Sequence, residues 1–176
     1  MIPVLETERL RMRGHRGEDF PASAAMWGDA EVMRHLGGRP FTVEDAWTRF
    51  LRYAGHWQFV GFGYWAVEEL ATGRFLGEVG FADYKREIVP SIDGIPELGW
   101  ALAPWAQGRG FATEAALAAL RWCDGALQAK RTVCLINPEN APSLRVAGKC
   151  GFREYGRSVY KGLDTILLER VSAAAL

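Results

Sequence analysis

One segment constrains this chain more than any other: Gln107-Gly108-Arg109-Gly110-Phe111-Ala112, set between a strand pattern and a long helical pattern. The strand, residues 97–103, is stopped by Pro104. The helix is expected over residues 113–128, with Ala116, Leu120, Cys123 and Leu127 as its buried stripe. Small residues at 108, 110 and 112 let a ligand approach the backbone closely. Consecutive N–H groups at a helix start, with the helix dipole behind them, make an anion site whose natural guest is a phosphate or pyrophosphate. Two familiar phosphate loops do not fit. A Walker A loop needs a Lys after its last glycine, and none follows here. The dinucleotide fingerprint needs a third Gly or Ala where this chain has Thr113.

The surrounding pattern is mixed α/β. A short strand is expected at 9–13 and a broken helical region at 19–36, with Gly28 as the break. Thr42 and Asp45 resemble a capping box that opens a helix carrying Val43, Ala46, Trp47, Phe50, Leu51 and Ala54 at helical spacing. Strands at 63–68 and 75–81 are joined by the turn Ala71-Thr72-Gly73. A loop with charges and two prolines, 84–96, is placed to lie over a site. After the long helix come a β-branched strand at 132–136 and a helix at 140–150. Asn140 is its cap, Pro142 stands in its first turn, and Gly151 suits its end. Strands at 153–160 and 165–171 close the chain.

Composition narrows the function classes. The chain has 176 residues, 49% of them hydrophobic, with seven Trp and nine Phe. That suits one globular domain over 1–176 that buries roughly 70% of its unfolded surface, and it excludes intrinsic disorder. Twenty-one basic residues balance 21 acidic ones, so nothing favours a nucleic-acid partner. No run of 18 apolar residues suggests a membrane span, and no leader is expected at the N-terminus, which points to a cytoplasmic setting. Cys123, Cys134 and Cys150 show neither metal spacing nor a disulfide framework, so no metal is expected. His15, His35 and His56 are scattered and read as surface or structural residues.

Gln107, Gly110 and Ala112 form a Q-x-x-G-x-A pattern that resembles the pyrophosphate-binding loop of the GNAT superfamily of acetyl-CoA-dependent N-acetyltransferases. Three other stretches resemble its ribosomal-protein-alanine N-acetyltransferase branch. They are Glu97-Leu98-Gly99-Trp100-Ala101-Leu102, Asn137 through Ser143 with Lys149 and Gly151-Phe152, and Thr7-Glu8-Arg9-Leu10-Arg11-Met12-Arg13. The resemblance spans nearly the whole chain. It implies a GNAT-like fold: a central, mostly antiparallel twisted sheet of six to seven strands flanked by about four helices.

The resemblance also implies acetyl transfer from acetyl-CoA, as co-substrate, to a primary amine of a small molecule or a protein N-terminus, in a monomer or homodimer. The cofactor residues it implies are Leu102, Ala103, Gln107, Gly108, Arg109, Gly110, Phe111, Ala112, Thr113, Asn140 and Ser143. The amine, with a pKa of ~8 to ~10.4, must lose a proton before attack, and the leaving thiolate (~8.5) benefits from a donor. Ser143 is the candidate donor, since many family members place a Tyr four residues further on, where this chain has Ala147. Ser143 can alternatively bond within its helix's first turn, and Asn140 can cap that helix or bond the pantetheine arm. Glu97 is the candidate base, directly or through a water, with Glu78 as runner-up. Gly99, Ala101 and Ala103 share its strand face and leave a groove, while Trp100 and Leu102 pack on the other side. A backbone N–H near Leu102 and Ala103 can serve an oxyanion. The cluster Trp57, Phe59, Phe62, Tyr64 and Trp65 is core or lines an acceptor pocket. A non-catalytic acyl-CoA-binding protein on the same fold is the alternative. A nucleotide hydrolase lacks its phosphate loop.

Overall fold

A computed structural model describes residues 1–172. Eight strands form one sheet: β1 (Leu5–Glu6), β2 (Leu10–Arg13), β3 (Tyr64–Glu69), β4 (Phe75–Ala82), β5 (Glu97–Leu102), β6 (Arg131–Ile136), β7 (Arg153–Tyr160) and β8 (Leu163–Val171). Their spatial order is β1-β2-β3-β4-β5-β6-β8-β7. The strand beyond the six or seven expected is the two-residue β1, too short to show an alternation, which pairs Leu5 and Glu6 with Met12 and Arg11.

Five helices flank the sheet: α1 (Phe20–Trp27), α2 (Ala30–Met33), α3 (Val43–Phe59), α4 (Phe111–Trp122) and α5 (Ala141–Lys149). The broken region splits at Gly28, and Asp29 restarts it by accepting the N–H groups of Glu31 and Val32. Thr42 and Asp45 do form a capping box, with Thr42 Oγ1 accepting the Asp45 N–H at 3.1 Å and Asp45 Oδ2 accepting the Thr42 N–H at 3.0 Å. Helix α4 begins two residues earlier than its apolar pattern indicates, at Phe111, and passes into a π-turn, Cys123–Leu127.

Strand neighbours are antiparallel except β5 and β6. That parallel pair shares one register position, Glu97 opposite Val133, with the Val133 N–H on the Pro96 carbonyl at 3.1 Å. Beyond it the two strands separate and the sheet opens. The register of β4 against β5 is unbroken from Gly77–Leu102 to Ala82–Glu97, so no bulge disturbs the alternation of β5. Leu98 and Leu102 join the core under α4. Ala101 packs with Met26, Trp27 and Met33 on the opposite face.

Both faces of the sheet are therefore covered. On the α4 side, Ala115, Ala116, Ala118 and Ala119 bring the helix close to Val79, Phe81 and Leu98. Trp65, Phe81 and Phe111 are the largest wholly buried side chains, each worth roughly 1.5–3 kcal/mol relative to exposure. On the other side, Phe50, Tyr53 and Tyr64 pack α3 onto the sheet. The 84–96 loop is anchored by Ile88 and Ile92 on Val133 and Leu167. This carries Tyr84 and Arg86 to the mouth of the opening.

Candidate active site

The opening between β5 and β6 leads into two cavities. The larger, about 430 Å³, runs along the start of α4 and one side of α5. The smaller, about 160 Å³, lies on the α1–α3 side of β5. They share His35, Leu36, Trp100, Asn140 and Ser143.

Of the residues expected at a cofactor, Leu102, Gln107, Gly108, Gly110, Phe111, Ala112, Thr113, Asn140 and Ser143 line the larger cavity. Gly108 and Gly110 hold φ of 73° and 83°, a left-handed backbone that costs other residues roughly 1–2 kcal/mol. The first α4 hydrogen bond here runs from the Glu114 N–H to the Gly110 carbonyl at 3.1 Å. The N–H groups of Phe111, Ala112 and Thr113 are thus left for a ligand. Arg34, Arg145 and Lys149 line the same cavity. Bare N–H groups, a positive helix end and three cations fit a polyphosphate such as that of CoA.

Two expected cofactor residues do not line it. Arg109 turns outward: its guanidinium lies 4.6 Å over the Phe111 ring and 3.4 Å from Glu69, and its carbonyl accepts from Arg9. The Ala103 N–H is taken within the sheet by the Leu76 carbonyl at 2.9 Å. By strand alternation the N–H groups of Trp100 and Leu102 then face the free edge toward β6. Gln107 Nε2 donates to the Leu102 carbonyl at 2.9 Å and braces the turn.

Helix α5 and its cap deliver two of the five shared residues, Ser143 and Asn140. Asn140 caps it, its Oδ1 accepting the Ser143 N–H at 3.2 Å. This leaves the Asn140 amide donors and the Ser143 hydroxyl at the junction. Ala147, four residues beyond Ser143, is wholly buried in the core.

Glu97 lines the smaller cavity. Arg86 grips both of its oxygens, Nε to Oε2 and Nη2 to Oε1, each at 2.7 Å. Burial works against the Arg86 charge, but Glu97 outweighs it and holds the guanidinium above its ordinary pKa. The groove expected beside Glu97 is occupied: Gly99 has no side chain because the Tyr64 hydroxyl stands there, 1.9 Å from where a Cβ would be. Burial raises the Tyr64 phenol well above its usual pKa, so it stays neutral and can donate but not act as a base.

Glu78 lies outside both cavities. It is wholly buried, and its oxygens accept from Ser23 Oγ at 2.5 Å, Trp27 Nε1 at 2.8 Å and the Tyr53 hydroxyl. His15 Nε2 is 3.5 Å away. Burial alone would raise this carboxyl; His15, Arg49 and Ser23 offset that and hold it below the ordinary range. Its place is structural, fastening α1 and α3 to β4.

Composition and spacing missed several lining residues. Trp27, Arg49, Tyr84 and Arg86 all face the smaller cavity. Of the aromatic cluster, Tyr64 lines the cavity, Trp57, Phe62 and Trp65 belong to the core, and Phe59 is exposed. His35, read as surface or structural, lines both cavities. The three cysteines are buried. Burial pushes the Cys123 thiol up to about 12 and Cys150 to about 11. Among the described residues no group of His, Cys, Asp and Glu could hold a metal ion, and no helix is long and apolar enough to cross a membrane.

A split parallel pair, with a bare helix start on one side and a small cavity on the other, makes a cleft that opens to both faces of the sheet. Residues 9–153 match the GNAT acetyltransferase domain family. The Bacillus subtilis protein YkkB, itself uncharacterised, is 30% identical over 163 residues, covering 89% of this chain and 88% of its own. The structure of a GNAT-family acetyltransferase from Bordetella pertussis superposes with a TM-score of 0.84 at 35% identity, covering 96% of this chain and 99% of that one. A ribosomal L7/L12 α-N-protein acetyltransferase in complex with coenzyme A shares the fold, with a TM-score of 0.78 at 16% identity over 98% of this chain and 99% of that one. The chain belongs to the GNAT family and is an acetyl-CoA-dependent acetyltransferase.

Proposed function

We propose that the chain transfers an acetyl group to a primary amine by direct attack in a ternary complex, with Asn140 and Ser143 at the point where the two substrates meet. The observation that carries this is the sharing of those residues by both cavities. Acetyl-CoA, when bound, supplies an acetyl thioester. The α4 start, Arg34, Arg145 and Lys149 take its phosphates, and the Trp100 and Leu102 edge runs beside its arm. That a fold relative binds coenzyme A supports this placement. Asn140 stays fixed by its capping bond and offers its amide donors to the cleft.

The residue roles follow from position. Ser143 presents an O–H at the junction and is the proton donor for the departing thiolate. Glu97 is the base. Arg86 occupies one lone pair on each of its oxygens, and the remaining lone pairs can take a proton from the amine directly or through a water. The Arg86 fork fixes the carboxylate's direction. Water at the mouth of the cleft carries the proton onward.

The test is thiol release from acetyl-CoA across a panel of amines and N-terminal peptides. Amine-dependent release supports the reading. CoA binding without release from any amine would reduce the chain to an acyl-CoA-binding protein.

A further inference from the structure

We infer that the amine acceptor carries a carboxylate beside its amine, as a free α-amino acid does, and that Arg49 receives that carboxylate. This deepens the acetyltransferase reading and rests on it.

Arg49 projects from α3 into the smaller cavity. Its guanidinium carbon stands over Trp27, 3.8 Å from the ring centroid, and its Nε donates to the Tyr53 hydroxyl at 2.8 Å. Those contacts fix the plane of the fork. They use one of its five N–H donors. Among the described residues, no hydrogen bond or ion pair engages its two terminal nitrogens.

The carboxylates nearby are already committed. Both Glu97 oxygens are on Arg86. Glu78 lies behind the Tyr53 hydroxyl and is filled by Ser23, Trp27 and Tyr53. The other groups facing Arg49 are phenols, Tyr64, whose ring centroid lies 5.9 Å from the guanidinium carbon, and Tyr84. A cationic fork whose terminal nitrogens carry no ion pair among the described residues, opening into a small cavity, matches a planar carboxylate, which it can grip bidentately. Such preorganisation raises affinity because little freedom is left to lose. A polyamine is the wrong guest: its second ammonium would meet the Arg49 cation.

The experiment compares the α-amino acids, their carboxamides and spermidine as acceptors for the wild-type protein, Arg49→Gln and Arg49→Lys. For the best acceptor, wild type is expected to favour the acid over its carboxamide by about 10²-fold in kcat/KM, chiefly through KM. Arg49→Gln should collapse that preference, and Arg49→Lys should restore part of it, with CoA affinity unchanged. If wild type uses carboxamides or spermidine as well as amino acids, the inference is overturned while acetyl transfer stands. This arm needs no variant to fold. If no amine is turned over, calorimetry on the CoA complex decides instead. Binding of an amino acid but not its carboxamide supports the inference, and binding of neither, or of both alike, overturns it.

Discussion

Gly99→Ala is the sharpest perturbation of the acceptor side. An added Cβ would stand 1.9 Å from the Tyr64 hydroxyl and 3.1 Å from its ring carbon Cζ. Ordinary contact begins near 3.4 Å, so the oxygen must retreat by about 1.5 Å, the difference of those two distances. The ring has little room. Tyr64 is buried and stacks on Tyr53 at a centroid separation of 5.2 Å. Tyr53 in turn holds Arg49 and Glu78. Overpacking of this kind costs about 1–3 kcal/mol, which lowers Tm by roughly 2–12 °C in a chain of this size. Displacing a cavity wall by more than 1 Å is expected to reduce kcat/KM for the amine by about 10²-fold. The β4–β5 backbone and the α4 start are untouched, so CoA affinity should hold. Thiol release at varied amine, calorimetry with CoA and a thermal melt read the three effects separately. A Gly99→Ala protein with wild-type kcat/KM for its amine would show that the smaller cavity is not where the acceptor reacts.

Three further outcomes follow from the site and the charge network. Ser143→Ala should lower kcat by about 10- to 100-fold with little change in the KM for acetyl-CoA, and steady-state kinetics giving wild-type kcat would leave Ser143 a helix-start residue only. Glu97→Gln keeps shape but removes the charge, so kcat/KM for the amine should fall by roughly 10²-fold. Amine kinetics that overlay wild type in height would pass the role of base to water. Acid stability depends on carboxylates held below their ordinary pKa: burial raises Asp19 and Glu78, but Arg13 and Arg16 around the first and His15, Arg49 and Ser23 around the second more than compensate, and the Arg170 fork lowers Asp124. These groups bind protons more readily unfolded, so their contribution is complete above the unfolded values near ~4 and is lost as pH falls through the lower folded values. Tm measured from pH 7 downward should drop below pH ~4, and a Tm that rises on acidification would contradict the network.

Much of the larger cavity's lining was legible because it is local. A glycine pair, a helix start and a cap lie within a few residues of one another, and Gly108, Gly110, Asn140 and Ser143 take the places that turn and capping chemistry dictate. The parity of β5 also held, since its register carries no bulge. The acceptor side is tertiary. Arg86 meets Glu97 only because Ile88 and Ile92 anchor the preceding loop, and Arg49 enters the cavity only because α3 packs through Phe50 and Tyr53. No spacing within one segment encodes either meeting. Glu78 looked like a second base because sequence shows its chemistry but not its enclosure. Ala103 stands one residue of alternation from the free edge, its N–H falling on the β4 side of the strand.

Calorimetric titration of CoA into wild type and Gly110→Asp measures whether the α4 start holds the pyrophosphate of CoA. Gly110 stands at φ 83° at the α4 N-cap, and a Cβ there would lie 3.4 Å from Arg9 Nη2, so the aspartate strains the turn and sets a carboxylate at the helix start, where it competes with the ligand for the N–H groups. The account predicts a loss of at least ~2 kcal/mol, about 30-fold in Kd, in a variant whose circular dichroism matches wild type. Unchanged CoA affinity in that folded variant would contradict it.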